Sequence, residues 1–233
     1  MNTRIIAFSF IIAIAICWAS CKKNDDKPAF QSTTRINVIN ASNNMINFYQ
    51  NGTRINNTSN YYPGGTLGNL TVKAGLQNYQ VKLADPSTPN YLFTLPLTLD
   101  SGKVYSLYVS GQTPESIFFT NDTATTNKFA KLRFVNASPD AGPLTLAFVT
   151  SGATPVSTPQ LSNIAYKTTT DFLNVTPSTT GSLILSVYQA GSPNNPKKDT
   201  VTISTGRIYT VVSYGTIGSG GNQALGTSLI VNQ

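Results

Sequence analysis

From residue 34 onward, apolar positions recur at every second residue, the spacing of strands that bury one face. In "RINVIN", Ile36, Val38 and Asn40 share one face while Arg35, Asn37 and Ile39 share the other. "NYQVKLA" puts Tyr79, Val81 and Leu83 together, and "YLFTLPLTL" aligns Tyr91, Phe93, Leu95, Leu97 and Leu99, with Pro96 on the opposite face. Proline donates no ladder hydrogen bond, so that last strand is expected at a sheet edge or a bulge. In "INFYQNGTRIN", Asn51-Gly52 sits between two strand-like runs and predicts a type I′ hairpin, whose two central residues need positive φ. No stretch after residue 30 carries a helical stripe.

The strand pattern is written twice. "VINASNN" at 38–44 returns as "FVNASPD" at 134–140, "LDSGKVYSLYVSG" from Leu99 returns as "ISTGRIYTVVSYG" from Ile203, and "NYQVKLA" lines up with "SLILSVY" between them. Such self-similarity marks a repeated structural unit. Each copy is of sandwich length, with short strands separated by turn signals, which suits an immunoglobulin-like antiparallel β-sandwich. In both "NAS" phrases, Asn40 or Asn136 tolerates turn geometry and Ser42 or Ser138 can bond back to the chain, so the motif is read as ending the first strand. The expected fold is all-β: two tandem antiparallel immunoglobulin-like β-sandwich domains, residues 34–122 and 131–233, joined by a polar linker at 123–130. That linker allows the copies to pack together or stand apart.

The first residues follow another logic. Arg4 precedes a nearly continuous apolar run from Ile5 to Ala19, too short to span a bilayer comfortably but suited to a secretory signal peptide at residues 1–20. Cys21, preceded by small Ala19 and Ser20, resembles the acceptor of a bacterial lipoprotein signal, which takes a diacylglycerol on its thiol. Residues 21–33 are charged and Ser/Thr-rich without periodicity, and read as a lipid-anchored flexible tether. Within it Asp25 and Asp26 resemble the surface-export signal of Bacteroidetes-type lipoproteins. These features predict an envelope protein held on the outer membrane by lipid, facing either the periplasm or the cell surface. Both cysteines of the chain, Cys17 and Cys21, lie in this part, so the sandwiches are expected to fold without a disulfide.

The chemistry-bearing residues are sparse. Only 11% of residues are charged, and the net charge of +7 is scattered rather than gathered on a nucleic-acid module, so no nucleic-acid partner is expected. There is no histidine to act as a base, no cysteine after Cys21 and no G-x-S-x-G elbow. Asp85, Asp100, Glu115, Asp122, Asp140, Asp171 and Asp199 fall mostly in turn contexts, where Asp bonds nearby backbone amides. No catalytic, cofactor-binding or metal site is expected. The glycine-rich "GTIGSGGNQALG" lacks the Gly-Lys-Ser/Thr and following helix of a phosphate loop and reads as a hairpin loop. Sugar platforms favour tryptophan, but Trp18 lies in the leader. Tyr61 and Tyr62, beside the turn "PGG", are the candidate glycan contacts. Thr123 and Thr200, in Asp-Thr-apolar triplets, match the O-glycosylation pattern of Bacteroidetes envelope proteins.

The opening phrase around "NAS" and the closing phrase "LDSGKVYSLYVSG" resemble the domain-of-unknown-function 4397 (DUF4397) family. That resemblance implies a β-sandwich in secreted or lipid-anchored bacterial proteins, often in tandem, with no activity attached. The expected function is a non-enzymatic cell-envelope lipoprotein presenting two sandwich modules to a macromolecular partner or surface coat. The alternative is a glycan-binding accessory protein that uses exposed tyrosines.

Overall fold

The computed structural model describes residues 32–56, 59–126, 128–150, 156–177, 181–193 and 196–232. The expected signal peptide at residues 1–20, Cys21, Asp25 and Asp26 lie outside them. Ser32–Gln233 form one compact unit.

Eight strands make up the first copy: β1 (Thr33–Asn40), β2 (Ile46–Gln50), β3 (Thr53–Arg54), β4 (Thr66–Lys73), β5 (Gly75–Leu83), β6 (Phe93–Leu99), β7 (Val104–Val109) and β8 (Ile117–Asn121). The second copy repeats the series as β9 (Ala130–Asn136), β10 (Leu144–Thr150), β11 (Val156–Ser157), β12 (Leu173–Val175), β13 (Ser182–Gln189), β14 (Lys197–Thr202), β15 (Ile208–Tyr214) and β16 (Gly226–Val231). The sheets run β4-β1-β7-β8 and β3-β2-β5-β6 in the first copy, β12-β9-β15-β16 and β11-β10-β13-β14 in the second. The topologies match strand for strand. In each copy the first and seventh strands pair in parallel and all other ladders are antiparallel.

Each copy closes on its own core. Ile36, Val38, Phe48, Tyr79, Val81, Leu97, Leu99 and Leu107 fill the first, and Leu132, Phe134, Leu144, Leu146, Leu183, Leu185 and Val211 the second. The alternation seen in the sequence supplies these faces. Asn51 (φ 49°) and Gly52 (φ 81°) form the β2–β3 turn with the positive dihedrals of a type I′ hairpin. Pro96 lies on β6, an edge strand opposite Asn78. Tyr91 departs from its expected face: the strand starts at Phe93, Leu92 packs toward the core, and Tyr91 is left on the approach loop.

The "NAS" phrase is a clamp, and its asparagine does most of the bonding. Asn40 Nδ2 donates to the carbonyls of Asn44 (2.7 Å) and Tyr61 (3.0 Å), while its Oδ1 accepts from the Ser42 amide (3.1 Å) and hydroxyl (2.7 Å). Asn136 repeats the pattern on Gly142 and Ile164 (both 2.9 Å) and on the Ser138 amide (3.1 Å). There the Ser213 hydroxyl takes the remaining place on Oδ1 (3.1 Å), and Ser138 Oγ is buried without a partner among the described residues.

The two copies pack on each other. Ile39, Tyr108, Val135, Val212 and Ile230 form a third apolar cluster between the β4-β1-β7-β8 and β12-β9-β15-β16 sheets, with Phe118 and Tyr214 at its margin. The Tyr214 ring lies against Gly64 of the first copy, where any Cβ would collide with it. Both faces of these inner sheets are therefore covered, so every residue of β7 is buried.

Polar groups complete this interface. Asn37, Ser106 and Asp122 of the first copy occupy the positions held by Arg133, Thr210 and Asn232 in the second, as the matched amide bonds of Asp122 to Val104 O (2.7 Å) and Asn232 to Ile208 O (2.8 Å) show. The buried Asp122 carboxylate pairs with Arg133 Nη2 and accepts from Thr120 Oγ1 (2.6 Å), Ser106 Oγ (2.5 Å) and Asn232 Nδ2 (2.5 Å). Arg133 Nε donates to Thr210 Oγ1 (3.0 Å), and its guanidinium lies 4.6 Å from the Phe172 ring centroid. The expectation that the acidic residues serve in turns thus fails for Asp122: its backbone directly follows β8, but its side chain turns into the interface to meet a cation.

Burial pushes the phenols of Tyr79 and Tyr108 up to about 12 and raises that of Tyr61 further. A raised folded-state pKa favours folding below the unfolded value of about 10, and that advantage is lost as pH climbs toward the folded value. Folding stability is therefore expected to fall between about pH 10 and pH 12. Urea unfolding at several pH values across this window checks it, and a flat profile would contradict it.

Candidate functional site

The repeat offers an internal comparison: where two copies share a frame but differ at solvent-facing positions, the difference lies outside what folding requires. The clamps recur in both copies, as does a tyrosine that reaches back over the closing turn, Tyr105 accepting from Asp100 N (3.3 Å) and Tyr209 from Ser204 N (2.8 Å). The outer faces of the two flanking sheets do not recur. In the first copy Tyr49 is paired with Gln80 and Arg54, and Lys82 with Asn47. In the second copy Ala147 faces Ser186, and Tyr188 faces Thr145.

Alternation places Tyr49 and Lys82 outward, because Phe48 and Val81 point into the core. Tyr91, freed from the strand, meets Tyr49 edge-on, with centroids 5.4 Å apart at 74°. Lys82 Nζ stands 4.6 Å from the Tyr91 centroid and 5.5 Å from that of Tyr49, within cation–π range of both. Lys82 forms no ion pair among the described residues. Both rings and the lysine are half-exposed.

The neighbouring polar side chains are held in place. Asn47 Oδ1 accepts from Arg54 Nη2 (2.5 Å) and Asn56 Nδ2 (2.9 Å), Arg54 Nη2 also donates to Ser59 O (3.0 Å), and Asn56 Oδ1 accepts from the Phe48 amide (2.9 Å). The hairpin tip is docked by Gln80 Oε1 on Gly52 N (2.9 Å) and by Asn51 Nδ2 on Gln77 Oε1 (2.6 Å). Strands β2, β3, β5 and β6 carry two cations, Arg54 and Lys82, and no carboxylate. The result is a rigid, cationic, aromatic face. A ligand here would meet stacking surface and a positive charge.

The residues singled out in the sequence are dispersed. Tyr61 bridges to Ile46 and packs on the first core, while Tyr62 beside it is 58% exposed. Thr123 is exposed, with its hydroxyl accepting from Val104 N (3.1 Å), and the Asp122 of its triplet is buried in the folded protein. Thr200 is exposed on β14, where Asp199 accepts from Thr227. The glycine-rich loop between β15 and β16 borders a cleft of 340 Å³ with Tyr188, Gln189 and Lys197, and leans on the first copy through Gln223 Nε2 to Asn43 O (3.4 Å). Among the described residues, that loop leads into β16 and not into a helix. Among the described residues, no His, Cys, Asp or Glu group clusters as metal ligands. The Tyr49, Lys82 and Tyr91 cluster escaped the sequence reading, although the parity of Lys82 against Val81 and of Tyr49 against Phe48 would have found two of its three members.

Residues 34–147 match the family model described as Domain of unknown function (DUF4397). That segment belongs to the DUF4397 family. The DUF4397 match runs from Thr34 on β1 to Ala147 on β10, and so takes in the whole first sandwich with its aromatic face, the Asp122 and Arg133 pair, and the second clamp at Asn136. No curated protein matches the chain. Among solved structures, the Bacillus anthracis TIE protein is similar at 11% identity and a TM-score of 0.24, over 78% of this chain and 34% of that one. This chain thus spans about a third of that protein's length. The family CBM26 module CBMbc from Eubacterium rectale Amy13K, solved with maltoheptaose, is similar at 10% identity and a TM-score of 0.25, over 85% of this chain and 96% of that one.

Proposed function

We propose that the protein is a non-enzymatic cell-envelope lipoprotein, acylated at Cys21, whose paired sandwiches form a rigid body that presents one outer sheet face to a macromolecular ligand. The observation that carries the reading is the aromatic and cationic face around Tyr49, Tyr91 and Lys82, where the strand positions of Tyr49 and Lys82 hold Ala147 and Tyr188 in the second copy. A fold that needs only the frame does not need these side chains. Aromatic rings on a sheet supply stacking area at small entropic cost, the property of binding surfaces for glycans and proteins.

A single set of variants tests both halves of the reading. Cys21→Ser is expected to move the protein from the membrane fraction to the soluble fraction. Tyr49→Ala with Tyr91→Ala is expected to abolish capture of cell-surface material by the otherwise intact protein, with unchanged circular dichroism. Membrane retention by the Cys21 variant would reject the anchor, and undiminished capture by the tyrosine variant would reject the face.

A further inference from the structure

Building on that reading, we propose that the face formed by Tyr49, Lys82 and Tyr91 takes an acidic polysaccharide, with a uronate carboxylate at Lys82 Nζ and its sugar ring beside the two tyrosines.

Three features of the face converge on this ligand class. The first is charge: the four strands of the sheet carry Arg54 and Lys82 and no acidic residue, and Lys82 forms no ion pair among the described residues. Arg54 donates to Asn47 Oδ1 and Ser59 O, which position it beside Tyr49. Lys82 has the rings of Tyr49 and Tyr91 as its neighbours. An exposed cation–π contact is weaker than a charge-assisted hydrogen bond to a carboxylate. An incoming carboxylate therefore adds to the lysine without first displacing a competing anion.

The second feature is geometry. Nζ lies 4.6 Å and 5.5 Å from the two ring centroids, so a carboxylate bound to it brings the attached sugar within contact distance of both phenols. The rings are set at 74° to each other, which gives a sugar two differently oriented apolar walls rather than a single stacking plane. The third feature is openness. The site lies on the outer face of a sheet, not in a cavity, which suits a point along a chain better than a small molecule that needs enclosure.

Affinity electrophoresis of the full chain through gels holding polygalacturonate, alginate or amylose tests the proposal. The expected result is retardation by the two acidic polymers, relieved by salt, and free migration through amylose. Lys82→Gln is expected to weaken the acidic interaction roughly tenfold, as is Tyr49→Ala with Tyr91→Ala, whereas Lys198→Gln on exposed β14 leaves it unchanged. Retardation lost equally with Lys198→Gln, or given equally by duplex DNA, would reduce the effect to the general positive charge of the chain and overturn the proposal. Retardation by amylose alone, if it depends on the tyrosines, would keep the face as a binding surface and overturn the acidic class. Acidic retardation that ignores both face variants would overturn the face as well.

Discussion

Replacing Arg133 by methionine is expected to cost about 3–5 kcal/mol of folding stability, the loss seen when one member of a buried ion pair is removed. The side chains of Arg133 and Asp122 are 4% and 0% exposed, so water cannot take over the missing partner. Methionine fills comparable volume against Phe172 and Thr210, so the loss reports the stranded carboxylate rather than a cavity. Asp122 would retain Thr120, Ser106 and Asn232 as neutral donors but hold its charge in a site closed by both sandwiches. The double variant Arg133→Met with Asp122→Leu removes both charges and is expected to recover a large part of the loss. Urea unfolding of the four proteins completes the cycle. A single-variant loss under about 1 kcal/mol, the worth of a surface pair, would contradict the burial.

The second large effect is expected at the clamp. Asn136→Ala removes one side chain and orphans the Gly142 carbonyl, the Ser138 amide and the Ser213 hydroxyl, and leaves the Ile164 carbonyl with the Leu144 amide alone. At about 1–3 kcal/mol for each buried group left unsatisfied, partly offset by relaxation, the expected loss is about 3–4 kcal/mol. Asn136→Asp separates hydrogen bonding from size: it keeps one acceptor but turns an oxygen toward two carbonyls, and is expected to be no more stable than the alanine variant. Thermal melts of the two variants, with Asn40→Ala as the parallel case in the first copy, check this. If Asp were tolerated at full stability, the two donated bonds would have no energetic weight.

Much of the frame was legible because it is local. Asn51-Gly52 announced its hairpin through the dihedrals that only such residues adopt easily, Pro96 announced an edge, and the doubled "NAS" announced two copies. The packing of those copies was not legible, because the interface is built from Asn37, Ser106, Thr210 and Arg133, side chains that a period-two reading assigns to solvent. Their partners are far away in the chain, and alternation cannot say whether a polar face meets water or another polar face. Asp122 was hidden in the same way, since its backbone directly follows a strand while its carboxylate serves the interface. The candidate site was half legible: parity exposes Tyr49 and Lys82, but the third member, Tyr91, depends on where β6 begins.

The contact between the inner sheets changes what one repeat is worth. A single sandwich of this kind would show Ile39, Tyr108 and the Asp122 carboxylate to water on one side, or Val135, Val212 and the Arg133 guanidinium on the other. Each copy is thus the lid of its neighbour, and the two lids carry opposite charges. Two first copies facing each other would bring Asp122 against Asn37, with no cation to meet it, and two second copies would oppose their arginines. The chain counts two by its sequence motifs but one by its packing, because a lone copy would leave an apolar and charged face uncovered.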